Sequence, residues 1–279
     1  MDKLLLLGVG NVAINVAKLV ASECTIYGTT RKLDKIPMLQ AAGVEPLLLD
    51  SNLELSDLSG VMKDYEDLMK GADILVSFPP DMKTEQALAP FCAGSRRIIY
   101  ISSTGVYGKV SGEIDENSPT DAGDETARKR LESERIWLDA GAIVLRCPGL
   151  YGTESGWHLR LKSGTAKIPG PGTNVASRIH LKDLARLIIQ CFELKLRSTL
   201  YLVGDEQPAS HFDTISYVCE KMNVPLPPVA SLDEVSPTLR GNRMINPHKL
   251  YEEINFTLDY PHYKAGYDAI LAEYKSALD

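Results

Sequence analysis

The chain has 279 residues, 44% hydrophobic and 24% charged, with a formal net charge of −7. That length and apolar content support one large α/β unit, or a larger domain with a smaller companion. The acidic balance argues against nucleic acid or another polyanion as a partner, and no apolar run approaches the roughly 20 residues of a membrane span.

In chain order, Lys3-Leu4-Leu5-Leu6-Leu7 reads as a buried strand that breaks on Gly8-Val9-Gly10. Val12, Val16, Leu19 and Val20 then continue at helical spacing. Preceded only by Met-Asp-Lys, the leucines make a poor signal peptide. With Ala13 in the third small position, the turn has the G-x-G-x-x-G/A pattern of a dinucleotide site. Gly8 makes the turn, Gly10 lets a pyrophosphate approach the backbone, and Ala13 packs helix on strand. The N–H groups of Asn11, Val12 and Ala13 at the helix start would face the anion. A purely structural glycine turn is the plainer alternative.

The second strand is expected over residues 25–29. Its end falls about 20 residues past the glycines, where an Asp or Glu binds the ribose 2′-hydroxyl of NAD. This chain instead reads Thr29-Thr30-Arg31-Lys32, with no carboxylate before Asp34. Hydroxyls and cations suit a 2′-phosphate, which arginine takes in bidentate fashion. NADP is therefore expected ahead of NAD, held by Thr30, Arg31 and Lys32. An ordinary solvated loop is the alternative.

Further strands are expected over residues 44–49, ending at Asp50, and over 73–78, 97–102 and 142–146, with helical patterns between most of them. Their continuous apolar runs suit strands buried on both faces of a parallel sheet, and alternating βα units give a doubly wound architecture. Ligands then belong at the carboxyl ends of the strands. Beyond residue 150 the pattern loosens, punctuated by Ile168-Pro169-Gly170-Pro171-Gly172 and Pro225-Leu226-Pro227-Pro228. The expected organisation is a cofactor domain over 1–150, with returning segments around 174–203, and a mainly substrate-binding lobe over 151–279.

Four later blocks carry a resemblance. They are Tyr100-Ile101-Ser102-Ser103-Thr104-Gly105-Val106-Tyr107-Gly108, Asp115-Glu116-Asn117-Ser118-Pro119, Leu145-Arg146-Cys147-Pro148-Gly149-Leu150-Tyr151-Gly152 and Arg178-Ile179-His180-Leu181-Lys182-Asp183-Leu184-Ala185. With the glycine motif they resemble the extended short-chain dehydrogenase/reductases, the NAD-dependent epimerase/dehydratase family. The stretch from Gly241-Asn242-Arg243 to Tyr267 is similar to an atypical subgroup of it. The resemblance implies a Rossmann-type doubly wound parallel sheet, NAD(P) binding and a smaller C-terminal substrate lobe. It places Asp50 near the adenine, Pro79 and Pro80 along the same groove, Ser102 on the cofactor side, and Pro148 and Leu150 beside the nicotinamide.

The chain also departs from the family. Family enzymes use Tyr-x-x-x-Lys after the fifth strand for proton transfer, but no tyrosine lies between Gly108 and Leu150. Alignment on Arg130-Leu131-Glu132-Ser133-Glu134 puts Thr126 at the tyrosine position and Arg130 at the lysine position. Thr is far too weak an acid, and Arg is a fixed cation. Ser103 falls at the position that holds the substrate oxygen, so the candidate catalytic set is Ser103, Thr126 and Arg130. Ser103, Thr104 and Tyr107 are the expected substrate contacts. Against these stand hydroxyls that satisfy backbone, an aromatic that packs, and a solvated helix face. His180 reads as structural rather than catalytic.

The five cysteines lack a C-x-x-C pair, as expected for reduced thiols in the cytoplasm, and the five histidines lack metal-ligand spacing, so no metal is expected. Two functions remain. One is an NAD(P)-dependent reductase, epimerase or dehydratase acting on a small hydroxylated or carbonyl compound, with nucleotide sugars in scope. The other is a non-catalytic NADP-binding sensor or regulatory protein. A homodimer is compatible with either.

Overall fold

The computed structural model describes residues 1–49, 60, 61, 63 and 65–276. The chain divides into two units. The first comprises Met1–Ser103, Glu125–Arg146 and Leu184–Tyr201, and the second Thr104–Asp124, Cys147–Asp183 and Leu202–Asp279. Beside the expected domain over 1–150 with returning segments around 174–203, the segment that returns to the first unit is Leu184–Tyr201. Residues 104–124 leave the first unit as soon as the fifth strand ends. Residues 174–183 stay in the second unit because their short strands pair with others there.

In the first unit, β1 (Lys3–Leu7), β2 (Thr25–Thr30), β3 (Val44–Leu48), β4 (Asp73–Val76), β5 (Arg97–Ser103), the strand Ile143–Cys147 and the strand Leu200–Leu202 form one seven-stranded sheet. From one edge the order is Leu200–Leu202, Ile143–Cys147, β5, β4, β1, β2, β3. β1 runs parallel to both β2 and β4, β2 to β3, and β4 to β5. The order reverses between β1 and β4, the switch point where a doubly wound sheet opens a crevice for ligands.

The four leucines of β1 and Ile74, Leu75 and Val76 of β4 are fully buried. Such two-sided burial is why these strands read as unbroken apolar runs. α1 (Asn11–Val20) lays Val12, Ala13, Val16 and Val20 on the sheet. A longer helix, Glu125–Asp139, buries Trp137, whose ring stacks on Tyr100 at 6.1 Å. The same helix carries buried Glu134, paired with Arg146 of the neighbouring strand at 2.8 Å.

The second unit holds a four-stranded sheet in the order Ala209–Ser210, Val175–Ala176, Arg243–Ile245, Gly112–Ile114. Two parallel pairs accompany it, Arg178–His180 with Gly149–Tyr151 and Val229–Ala230 with Ile168–Pro169. Its core gathers Tyr151, Trp157, Ile215, Val218, Tyr267 and Ile270. Strands this short leave little periodic signal, so the sequence pattern does not show them. Among the described residues, no helix is long and apolar enough to cross a membrane.

Candidate functional site

In the first unit, the turn after β1 is built around two glycines with different demands. Gly8 has φ +84°, and a Cβ there would meet Phe78 Cβ at 2.7 Å and Phe78 N at 2.9 Å. Only glycine fits that turn without displacing Phe78, two residues past the end of β4. Gly10 is extended, with φ −110° and ψ −167°, and a Cβ there would meet nothing within 4 Å. The space beside Gly10 is therefore open, and no side chain caps the start of α1. Open space at an uncapped helix start of this length is what a pyrophosphate needs, so these residues fit a dinucleotide.

The turn is pinned from both neighbouring strands. The Gly8 N–H donates to Thr29 Oγ1 (2.8 Å), and Ser77 Oγ donates to the Gly8 carbonyl (2.7 Å). Thr29 thus has a structural task, which its place in a hydroxyl-rich loop did not reveal. Thr30 closes a local turn by accepting from the Lys32 N–H at 3.2 Å.

Beside the turn lies a cavity of about 320 Å³, lined by Gly8, Gly10, Thr30, Arg31, Lys32 and Lys35 among others. Arg31, Lys32 and Lys35 are all exposed. The carboxylate on its wall, Asp81, is engaged as a helix cap and accepts from the Thr84 N–H and hydroxyl. Lys35 was missed in the sequence because it follows Asp34. The short helix Leu33–Lys35 returns it to the cavity. Pro79 lines this cavity whereas Pro80 does not, and Asp50 lies outside the described residues. Val12 and Ala13 are buried against the sheet, so only their backbone is available to a ligand.

The end of β5 corrects one expectation. Ser102 is buried and donates to Glu134 Oε1 (2.6 Å), the carboxylate held by Arg146, and it lines neither cavity described here. Strand alternation sends its side chain to the helix face, opposite to that of Ser103. Ser103 is half-buried and also lines neither cavity. Thr126 is exposed and Arg130 half-buried, both in the first turns of the helix Glu125–Asp139. Burial pushes Tyr100 up to about 12, and Tyr151 is pushed well above its ordinary range by the same cause.

The second unit has its own cavity, of about 290 Å³. Thr104, expected at a substrate, lines it together with Pro148 and Leu150. Tyr107 does not. It is fully buried and its hydroxyl donates to the Asp115 carbonyl (3.1 Å), so it is a packing residue and not a projection into a crevice. The walls also carry Arg160, Arg178, Arg243 and His211. Arg178 is buried; its Nη1 donates to the carbonyls of Ala176 (2.9 Å) and Ala209 (3.2 Å). Arg243 donates to the Gly108 carbonyl, and Arg160 lies over the Trp157 ring at 5.1 Å. Burial, with Arg178 and Arg160 adding to it, pushes the His211 imidazole down to about 4, so it is neutral near pH 7. His180 packs between Tyr151 and Tyr260, accepts from the Lys182 N–H, and is likewise pushed down to about 4.

No protein-family model matches the chain. Protein YeeZ of Escherichia coli strain K12 is 25% identical over 283 residues, spanning 94% of this chain and 97% of that protein. A functionally unknown conserved protein from Silicibacter pomeroyi DSS superposes with a TM-score of 0.81 at 27% identity, covering 98% of this chain and 99% of that one. The dTDP-glucose 4,6-dehydratase of Bacillus anthracis str. Ames, solved with NAD, gives 0.78 at 15% identity, covering 99% and 97%. The chain has the fold of the NAD-dependent epimerases and dehydratases. At these identities the likeness carries the architecture, and the chemistry has to be argued from the residues.

Proposed function

We propose that the chain belongs with the extended short-chain dehydrogenase/reductases as an atypical member. In this reading it binds a nicotinamide dinucleotide in the first-unit cavity and uses it in a reductase-, epimerase- or dehydratase-type reaction. The substrate is a small hydroxylated or carbonyl compound. The observation that carries the reading is the pair Gly8 and Gly10: one position that admits only glycine, followed by one where open space meets an uncapped helix start.

Gly10 and the backbone N–H groups of Asn11, Val12 and Ala13 hold the pyrophosphate. Arg31 and Lys32, with Lys35 added by the fold, take a ribose 2′-phosphate, so NADP(H) is favoured over NAD(H). When bound, the nicotinamide supplies a hydride acceptor or donor. Ser103, at the end of β5, orients a substrate oxygen. Thr126 does not transfer the proton, and Arg130 serves as a fixed cation on the cofactor side. The proton moves through Ser103 with water.

A non-catalytic NADP sensor is the second reading, favoured by the exposed Thr126 where the family has tyrosine. The cation-lined second-unit cavity favours the enzyme, because a sensor of the cofactor alone has no use for it. A panel of small hydroxy and carbonyl compounds, assayed for NADPH oxidation or NADP reduction, tests this. Turnover that falls in Ser103→Ala supports the enzyme. Tight NADPH binding with no turnover across the panel overturns it in favour of the sensor.

A further inference from the structure

We propose that Thr29 and Ser77 are positioning residues for the dinucleotide: their hydroxyls clamp Gly8 from two sides and hold the glycine turn in its binding shape before the ligand arrives. The role rests on the cofactor reading above. It adds two residues that act through the backbone and do not discriminate between NADP and NAD.

The regular backbone pairing of the sheet ends with β1. Its ladder with β2 stops at Leu6 opposite Gly28, and its ladder with β4 at Leu7 opposite Val76. The Ser77 N–H then donates to the Leu7 carbonyl (2.9 Å), and α1 opens with the Ile14 N–H on the Gly10 carbonyl (3.0 Å). Gly8 lies between these two frameworks, and side chains stand in for ladder partners there. Thr29, at the end of β2, accepts the Gly8 N–H at 2.8 Å, and Ser77, directly after β4, donates to the Gly8 carbonyl at 2.7 Å. Phe78 occupies the place of a Gly8 Cβ, and its ring stands edge-on to buried Trp137 at 6.4 Å.

The left-handed φ of +84° at Gly8 is one of several conformations that a glycine adopts about equally well. The apolar face of α1 fixes the body of the helix through Val12, Ala13, Val16 and Val20, but the surroundings of Gly10 are open. Holding Gly8 therefore sets the path by which the chain enters α1. A turn already in its bound shape spares the ligand the cost of ordering it, and one that visits other shapes binds more weakly in proportion. The hydroxyls themselves are committed. Thr29 Oγ1 donates to the Leu6 carbonyl (3.4 Å) and Ser77 Oγ to that of Gly8, so neither keeps a proton for a phosphate oxygen. The clamp thus bears on the pyrophosphate that NADP and NAD share, not on the 2′-phosphate that separates them.

The test is a titration of the full chain and of Thr29→Val, Thr29→Ser and Ser77→Ala, each shown to be folded by circular dichroism. The ligands are NADPH, NADH and adenosine 2′-monophosphate, which carries the 2′-phosphate but no pyrophosphate. Thr29→Val should weaken NADPH and NADH alike by about 10-fold, the effect of a turn that keeps its bound shape about a tenth of the time. The ratio of the two affinities and the affinity for adenosine 2′-monophosphate should stay where they are in the parent. Thr29→Ser, which returns the hydroxyl, should restore binding of both cofactors. Ser77→Ala leaves β2 and the cations after it untouched, so it decides the matter if Thr29→Val fails to fold; it should also weaken both cofactors without changing their ratio. Variants that melt lower but bind both cofactors like the parent overturn the proposal, because the hydroxyls then serve the fold alone. A loss confined to NADPH and adenosine 2′-monophosphate also overturns it, since Thr29 would then be a ligand of the 2′-phosphate. In both cases the parent still binds the dinucleotides, and the cofactor reading stands. A parent that binds neither overturns that reading, and the clamp with it.

Discussion

The two glycines of the first turn should fail in opposite ways when substituted. Gly8→Ala places a Cβ 2.7 Å from Phe78 Cβ and 2.9 Å from Phe78 N, at a φ of +84°. The left-handed backbone alone costs about 1–2 kcal/mol for a residue with a Cβ, and relief of the clash adds about 1–3 kcal/mol. At about 2–4 °C per kcal/mol for a chain of this size, melting should fall by roughly 4–20 °C. Gly10→Val adds a branched side chain where nothing lies within 4 Å, on extended backbone that any residue adopts. Its folding cost should stay at about 1 kcal/mol, that of a poorer residue at the helix N-cap. The valine methyls would instead occupy the approach to the α1 N–H groups. Losing one or two charge-assisted hydrogen bonds of about 1.5–3 kcal/mol each weakens NADPH binding by at least 10-fold, and by 100-fold or more if both go. Thermal melting by circular dichroism and fluorescence titration of NADPH separate the two effects. A Gly8→Ala protein that melts like the parent, or a folded Gly10→Val protein that binds NADPH like the parent, would refute the reasoning.

Arg31→Asp should erase most of the preference for NADPH over NADH, because it puts a carboxylate where a 2′-phosphate is expected to lie; paired titrations of both cofactors check it. Thr126→Ala should leave cofactor binding and turnover within a few-fold, whereas loss of a true general acid or base costs about 10²–10⁴-fold. Ser103→Ala should be the more damaging of the two, and steady-state rates on folded variants decide whether that order is inverted. Stability should also depend on pH with two opposing contributions. His180 and His211 have folded values of about 4, below the ordinary 6.5, so their contribution is complete above pH 6.5 and is lost as pH falls toward 4. At about 1.4 kcal/mol per unit, that is of order 3 kcal/mol for each. Asp205, raised from 3.8 to about 7, acts the other way, destabilising progressively as pH rises through that interval. Melting of Asp205→Asn should therefore climb more steeply from pH 4 to 6.5 than that of the parent; parallel curves would contradict the assignment.

What the sequence disclosed follows physical range. The β1 strand and its glycine turn are local, and two-sided burial makes the parallel strands continuous in apolar residues, so both could be read directly. The faces of β5 could not. Ser102 and Ser103 are adjacent in a run of hydroxyls, and only the strand's pleat assigns one to Glu134 and leaves the other half-buried. Tyr107 looked available because a strand-to-loop turn usually is, yet it is fully buried and its hydroxyl is held on the Asp115 carbonyl. Thr29 seemed a phosphate donor until its oxygen was found on the Gly8 N–H. The arginine cavity was least legible of all. Arg160, Arg178 and Arg243 come from three separate segments, a short helix and two three-residue strands without periodicity. Arg178 and Arg243 were visible within family-like blocks, but the blocks alone gave them no role.

The central claim is that the glycine turn and the cations after β2 form an NADP site. Equilibrium titration of the unmodified chain with NADPH and with NADH tests it most directly. The account predicts saturable binding of both, with NADPH tighter by roughly 10- to 150-fold, as one phosphate pairing of about 1.5–3 kcal/mol requires. Equal affinities or tighter NADH would contradict the 2′-phosphate assignment, and no binding of either would contradict the site.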